Sequence, residues 1–174
     1  MSFLDLIRTR RSVREYKKRP LDKETLDLLA EALLRSPSSA GFDSWEFVFV
    51  TERELLRKLA RAKPVGVEFL EGAALAVVIL GNDRATDVWI EDCSIAATFV
   101  QLAAHDLGLG SCWGQIRLRP HEGAATAEGY VQNLLGIPKH LRVNMIVGLG
   151  FPDERPEPVP REALDFGKIR RDKY

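Results

Sequence analysis

The sequence predicts one domain that mixes helices with strands, and three observations carry that expectation. Apolar residues recur at helical spacing in two long segments, as Leu26, Leu29, Ala30 and Leu33 in the first and through most of 87–107 in the second. Three short runs, Trp45–Val50, Ala74–Leu80 and Val143–Leu149, are strand-like in length and composition. The 174 residues, 45% of them hydrophobic, suffice for one core and are too few for two ordinary domains. The expected organisation is a single domain over 1–174 whose last part, 152–174, is an extended C-terminal tail.

Ser2 and Asp5 have the spacing of a capping box, and Phe3, Leu4 and Ile7 then share one side of a short helix ending near Thr9. Residues 10–16 lack helical spacing and lead through Lys17-Lys18-Arg19 to Pro20, which predicts an extended arm. Asp22 caps the next helix, and Ser36-Pro37 stops it because proline disfavours helical backbone at its predecessor. A polar, glycine-containing loop, 38–44, precedes the first strand. Glu54–Ala62 reads as an amphipathic helix closed by Pro64. The run Ala74–Leu80 is apolar without alternation, as a strand buried on both faces must be.

The helix over 87–107 is apolar almost all round in its second half, Ile95–Ala104, and so needs cover on most sides. A helix about 30 Å long is hard to enclose within one small domain. A second copy of the chain is one possible cover; a central place in a monomeric core is the other. Gly108 and Gly110 end this helix, and Ser111–Gly114 continues as a short extended piece. A further helix runs to Leu135 and is closed by Gly136 and Pro138. Pro156, Pro158 and Pro160 stiffen the tail, which finishes basic with Lys168, Arg170, Arg171 and Lys173.

Composition narrows the function. Lys+Arg 25 against Asp+Glu 25 leaves a net charge of zero, so no global field draws in nucleic acid or an anionic membrane, and weak self-repulsion permits self-association. No helix-turn-helix, zinc or RNA-binding motif accompanies the basic arm, and no nucleic-acid partner is expected. Charges interrupt the N-terminal segment, and no apolar run reaches the ~18 residues of a membrane span; a soluble, cytoplasmic protein without a membrane partner is the expectation. Cys93 and Cys112 lie far apart and read as free, buried thiols with no metal site. His105, His121 and His140 form no His-Glu-x-x-His pattern and read as structural or surface groups, and no Gly-x-Ser-x-Gly elbow or phosphate loop occurs.

The chemistry concentrates in Arg10-Arg11-Ser12-Val13-Arg14. In an extended segment side chains alternate, which places Arg10, Ser12 and Arg14 on one face. Two guanidinium forks and a hydroxyl suit a phosphate dianion through charge-assisted hydrogen bonds. The same run can equally be a solvated basic arm.

Four segments together resemble the nitroreductase-like flavoprotein family: Arg10–Tyr16; Ser36–Ala40 leading to Trp45-Glu46-Phe47; Ala103–Trp113; and Leu135–Pro138 with Gly148–Pro152. The resemblance implies an α+β, nitroreductase-like fold with a central mixed or antiparallel β-sheet flanked by helices. It also implies an intertwined homodimer holding flavin mononucleotide (FMN) at two equivalent interface sites, with the tail packed on the partner subunit. By position, Arg10, Arg11, Ser12 and Arg14 resemble the family's contacts to the flavin phosphate and ribityl chain, and Pro37, Ser38 and Ser39 the loop from the partner. Trp113, Gly114 and Gln115 resemble the segment beside the flavin ring, where backbone N–H groups bond the ring and glycine permits close approach. Lys168 and Arg170 resemble a C-terminal basic pair that returns to the phosphate. The implied activity is ping-pong electron transfer from NADH or NADPH through FMN to a small electron-poor acceptor such as a nitroaromatic or quinone, with no catalytic side chain. Dehydrogenation, dehalogenation, flavin breakdown, or flavin binding without turnover are the alternatives within the resemblance. Gly41-Phe42-Asp43-Ser44 departs from the family's usual loop, where an asparagine and a proline precede the tryptophan, and Asp43 puts an acceptor where donors are expected. The short chain leaves little material for the inserted helices that cover the active site of larger members, so a more open pocket is expected.

Overall fold

The computed structural model describes residues 2–174. Its centre is a four-stranded antiparallel sheet in the order β1-β2-β4-β3, built from β1 (Trp45–Val50), β2 (Leu75–Gly81), β3 (Gly110–Gln115) and β4 (Arg142–Gly150). β2 is buried at every position, as its unbroken apolar run requires of a strand covered on both faces. Alternation along it sends Leu75, Val77 and Ile79 to one core and Ala76, Val78 and Leu80 to the other.

The first core packs beneath α2 (Lys23–Leu34) and α4 (Trp89–Asp106), through Leu29, Leu33, Trp89, Ala96, Val100 and Ala104. The second lies under α3 (Arg53–Leu59) and α5 (Ala127–Leu135), with Leu56, Leu59 and Val131, and it also takes in Val13 and Tyr16 of the N-terminal arm. Helices on both sides of the sheet make the α+β architecture the sequence predicts. Short helix α1 (Phe3–Thr9) has the expected Ser2–Asp5 capping box, yet buries none of its residues.

Some boundaries differ from expectation. Helix α3 begins at Arg53, because the Glu52 carboxylate accepts from the N–H groups of Glu54 and Leu55, and ends at Leu59, short of Pro64. The loop 38–44 contains a single 3-10 turn, Ser39–Gly41. The extended piece at 111–114 is a full edge strand, and residues 116–126, which carry no helical pattern, form turns before α5. The tail is not uniformly extended, since it turns at Arg161–Ala163 and Phe166–Lys168. Both cysteines are free and buried, as expected; burial pushes the Cys93 thiol up to about 12. Where β4 pairs β2, the register slips between Ile79 and Leu80, leaving Asn144 as the extra residue of a bulge. Its carbonyl accepts from the N–H groups of Ile116 and Arg117, and its side-chain amide donates to the Ile90 carbonyl, which fixes the end of β3 against the start of α4.

Candidate functional site

The arm and β3 meet first. The Val13 N–H donates to the Ser111 carbonyl at 2.9 Å, so Ser12 lies parallel to Ser111 on the outer edge of the sheet. The approach is close enough that a Cβ at Gly110 would sit 2.6 Å from Val13 Cγ1, which only glycine avoids. Farther on, Tyr16 crosses the end of the sheet and its buried hydroxyl donates toward the Val13 and Gly148 carbonyls at 2.6 and 3.1 Å. Burial drives that phenol far above its ordinary range. The Glu154 carboxylate accepts the N–H groups of both Arg14 and Glu15, pinning the arm from beyond β4.

This arrangement opens a cleft of about 300 Å³ lined by Arg10, Arg11, His105, Ser111, Glu154 and Arg155. Arg10 and Arg11 also wall a second cleft of about 620 Å³, floored by Leu4 and Ile7 of α1 and by Val159 and Leu164 of the tail. Simple alternation does not hold over the whole arm. Arg10 and Arg11 share both clefts, whereas Ser12 and Arg14 lie toward Cys112; burial raises that thiol, and the Arg14 charge and the Ser12 hydroxyl partly offset the rise. The expected face of Arg10, Ser12 and Arg14 is thus divided, because the arm is bridged to its neighbours only at isolated points, Ser12 to Ser111 and Tyr16 to Pro152, and not along a continuous ladder.

β3 supplies the neighbouring surface. The Ser111 carbonyl is taken on the outer edge, and in an antiparallel ladder alternate residues turn the same way, so Trp113 and Gln115 also direct backbone N–H and C=O groups outward. No backbone hydrogen bond meets them there among the described residues. The Trp113 side chain is 46% exposed, and the Gln115 amide donates to the Arg117 carbonyl. Gly114 has a packing reason to be glycine: a Cβ there would meet Val67 Cγ1 at 2.5 Å, so the turn before Phe69 packs directly on the strand. That turn brings in Lys63, half-buried, with its ammonium in the space a side chain at Gly66 would face. Burial, and then the nearby Arg119 charge, lower its pKa. Nothing in the sequence marks Lys63 beyond a lysine preceding a Pro-x-Gly turn.

The loop of Pro37, Ser38 and Ser39 lies elsewhere. The Ser39 N–H and the Ser44 hydroxyl both donate to the buried Asp92 carboxylate, at 2.8 Å each, near the start of α4. Ser38 and Asp43 bond reciprocally, hydroxyl to carboxylate at 2.7 Å and backbone N–H to hydroxyl at 3.0 Å, across a turn in which Ala40 and Asp43 have φ of 49° and 45°. Such backbone is unfavourable for residues other than glycine, and this clasp and the Asp92 anchor hold it. His105, beside the arginines, is thirteen positions along the same helix from Asp92, or about 20 Å at the α-helical rise. One copy of the chain therefore does not bring arm and loop to the same cleft. Lys168 and Arg170 are exposed on the tail, where Arg170 bonds the Gly167 carbonyl and lies over the Tyr174 ring.

The profile of the nitroreductase family matches residues 7–63 and 61–151. The chain belongs to the nitroreductase family. An FMN-dependent nitroreductase from Clostridium difficile R20291 superposes with a TM-score of 0.97 at 39% identity, over 99% of this chain and 100% of that one. An NADPH:FMN oxidoreductase from Vibrio harveyi, solved with NAD+, superposes at 0.82 with 25% identity, over 98% of this chain and 77% of that one. A protein of Methanothermobacter thermautotrophicus provisionally named NADH dehydrogenase/NAD(P)H nitroreductase is 33% identical over 177 residues, 100% of this chain and 88% of that protein. The nitroreductase fold accounts for the α+β sheet; no helix among the described residues is long and apolar enough to cross a membrane, and none of their His, Cys, Asp or Glu groups clusters to hold a metal.

Proposed function

We propose that this nitroreductase-family chain is an FMN-dependent oxidoreductase that takes electrons from NADH or NADPH and passes them to a small electron-poor acceptor, such as a nitroaromatic or a quinone. The observation that carries the reading is the arginine cleft opening beside the unpaired edge of β3. Arg10 and Arg11 suit a phosphate, and the outward N–H groups of Trp113 and Gln115 suit the acceptor-bearing edge of a planar ring. Ser12 and Arg14 complete the arm's contacts to the phosphate and ribityl chain, Gly114 lets the Val67 turn pack directly on the strand, and Lys63 is a half-buried cation at that turn. Likeness to the FMN-dependent nitroreductase over the full length of both chains supports this cofactor.

The working unit is a homodimer with FMN between the copies. The gap of about 20 Å between arm and loop along α4 favours it, because Pro37, Ser38 and Ser39 then reach a site only as the partner's loop. Uncovered apolar residues point the same way: Ile95 and Phe99 on α4, Phe3, Leu4 and Ile7 on α1, and Leu164, Phe166 and Ile169 on the tail are all exposed. The tail, 152–174, packs on the partner and brings Lys168 and Arg170 toward its phosphate, while each copy of 1–174 forms one domain.

When bound, FMN supplies the hydride and electron chemistry, which is why no acid/base pair is needed. The protein binds the phosphate, orients the ring through the β3 edge and brings donor and acceptor to it in turn. Kinetics are ping-pong, the donor leaving before the acceptor binds. Anaerobic mixing with NADH and with NADPH tests the reading: bleaching of the flavin absorbance by one or both is expected. A bound flavin that neither nicotinamide reduces would make the protein a flavin-binding module without this turnover.

A further inference from the structure

His105 occupies a place in the arginine cleft that its lack of a motif does not foretell. The Thr9 hydroxyl has one hydrogen, and it donates that hydrogen to the Asp5 carbonyl at 2.7 Å, a group that can only accept. At 2.8 Å from His105 Nε2, Thr9 Oγ1 must therefore be the acceptor, which places the imidazole proton on Nε2. The other ring nitrogen, Nδ1, is left with a lone pair and no hydrogen bond among the described residues. His105 lines the cleft, and the neutral ring has only this acceptor atom left to offer an anion there unless it takes up a second proton.

We propose that His105 is an anion-binding residue of the cleft, neutral when the cleft is empty and protonated at Nδ1 when the phosphate end of FMN docks against Arg10 and Arg11. The inference rests on the flavin reading above. It adds proton uptake to cofactor binding and a ligand to the phosphate site.

The charges around the ring set the direction. Burial, then the Arg10 guanidinium, hold His105 below the ordinary histidine value, against the opposing carboxylate of Asp106 on its own helix. Arg11 of the arm, with Glu154 and Arg155 from beyond β4, line the same cleft, and Asp5 on α1 is paired with Arg8 at 3.5 Å. A bound dianion neutralises Arg10 and Arg11 and adds negative charge beside the ring. The depressing influence then becomes a raising one. Protonation at Nδ1 also gains from the position of His105 in the last turn of α4, where the helix end favours a cation.

The sign follows from linkage: a group whose pKa rises on binding favours the bound state at low pH and loses that contribution as pH rises. The experiment is calorimetric titration of FMN into the flavin-stripped full chain at pH 7.5, in buffers of different ionisation enthalpy. There the cofactor phosphate, with a second pKa near ~6, is already mostly dianionic and adds little proton traffic. Net proton uptake is expected in the wild type and none in His105→Gln. From pH 6.5 to 8.5, FMN affinity of the wild type is expected to fall by roughly twofold to fivefold relative to the variant, what a pKa rise of about one unit from below the ordinary histidine value delivers. With three histidines in the chain, NMR titration offers a second readout, and the His105 ring signal is expected to titrate at higher pH with FMN than without it. FMN binding with no proton uptake, or uptake that survives in His105→Gln, overturns the inference and leaves the flavin reading intact. Failure of the stripped chain to bind FMN overturns both.

Discussion

Arg10 is the residue at which the proposed cofactor site is most exposed to test, because it walls both clefts and lies within electrostatic reach of His105. Arg10→Ala is expected to weaken FMN binding by about 1.5–3 kcal/mol, the usual cost of losing a hydrogen bond to a charged group, as measured by equilibrium flavin titration. Cofactor retention unchanged from wild type would remove the arm from the site. Stability has its own charged residue. Glu128 on α5 receives Arg142 bidentately, at 2.8 Å from Nε and from Nη2, and also accepts the Val143 N–H at 3.0 Å; the third guanidinium nitrogen reaches Asp83 at 3.0 Å. Burial alone would raise this carboxyl, but the hydrogen bonds from Arg142 and Val143 outweigh it and hold the pKa below the ordinary glutamate value. A depressed folded-state pKa stabilises above the unfolded value and ceases to do so as pH falls through the folded one. Glu128→Ala should therefore cost about 1–3 kcal/mol in urea melts near neutrality. The difference from wild type should shrink once the pH drops below the ordinary glutamate range; a gap independent of pH would show that the carboxylate charge contributes nothing.

At the level of elements, α4 does two things: its buried side closes one core, and its exposed side, with Ile95 37% and Phe99 40% accessible, is the surface on which the dimer proposal depends. Replacing both Ile95 and Phe99 by Glu is expected to yield monomers in light scattering at low micromolar concentration, with loss of bound flavin, since desolvating two carboxylates in an apolar interface is strongly unfavourable. A stable dimer in that variant would place the interface elsewhere. The strands were legible for a local reason. Trp45–Val50 and the β2 run are specified by β-branched and aromatic residues within a few positions, and the all-round apolar pattern of 95–104 marks a helix that needs cover on most sides. The site was legible only in part. Arg10 to Arg14 stand out as a charge run, but the partition of that run between two surfaces depends on Val13 meeting Gly110, a contact across almost a hundred residues. Asp92 as the anchor of the 38–44 loop, Glu154 as the clasp of the arm, and Lys63 beside β3 are likewise products of long-range packing, which spacing along the chain does not encode. Gly114 has a packing reason of its own that spacing does not show, since a Cβ there would meet Val67.

For the molecule as a whole, an arm and a loop held at opposite ends of one helix and apolar residues uncovered on α1, α4 and the tail are the grounds for the proposed pair of chains sharing two cofactor sites, and zero net charge permits it. The visible absorption spectrum of the purified protein, with the released cofactor identified by mass and counted against chain concentration, tests this most directly. A yellow dimer releasing FMN at one per chain is the predicted result. A colourless protein that takes up no FMN on titration would contradict it.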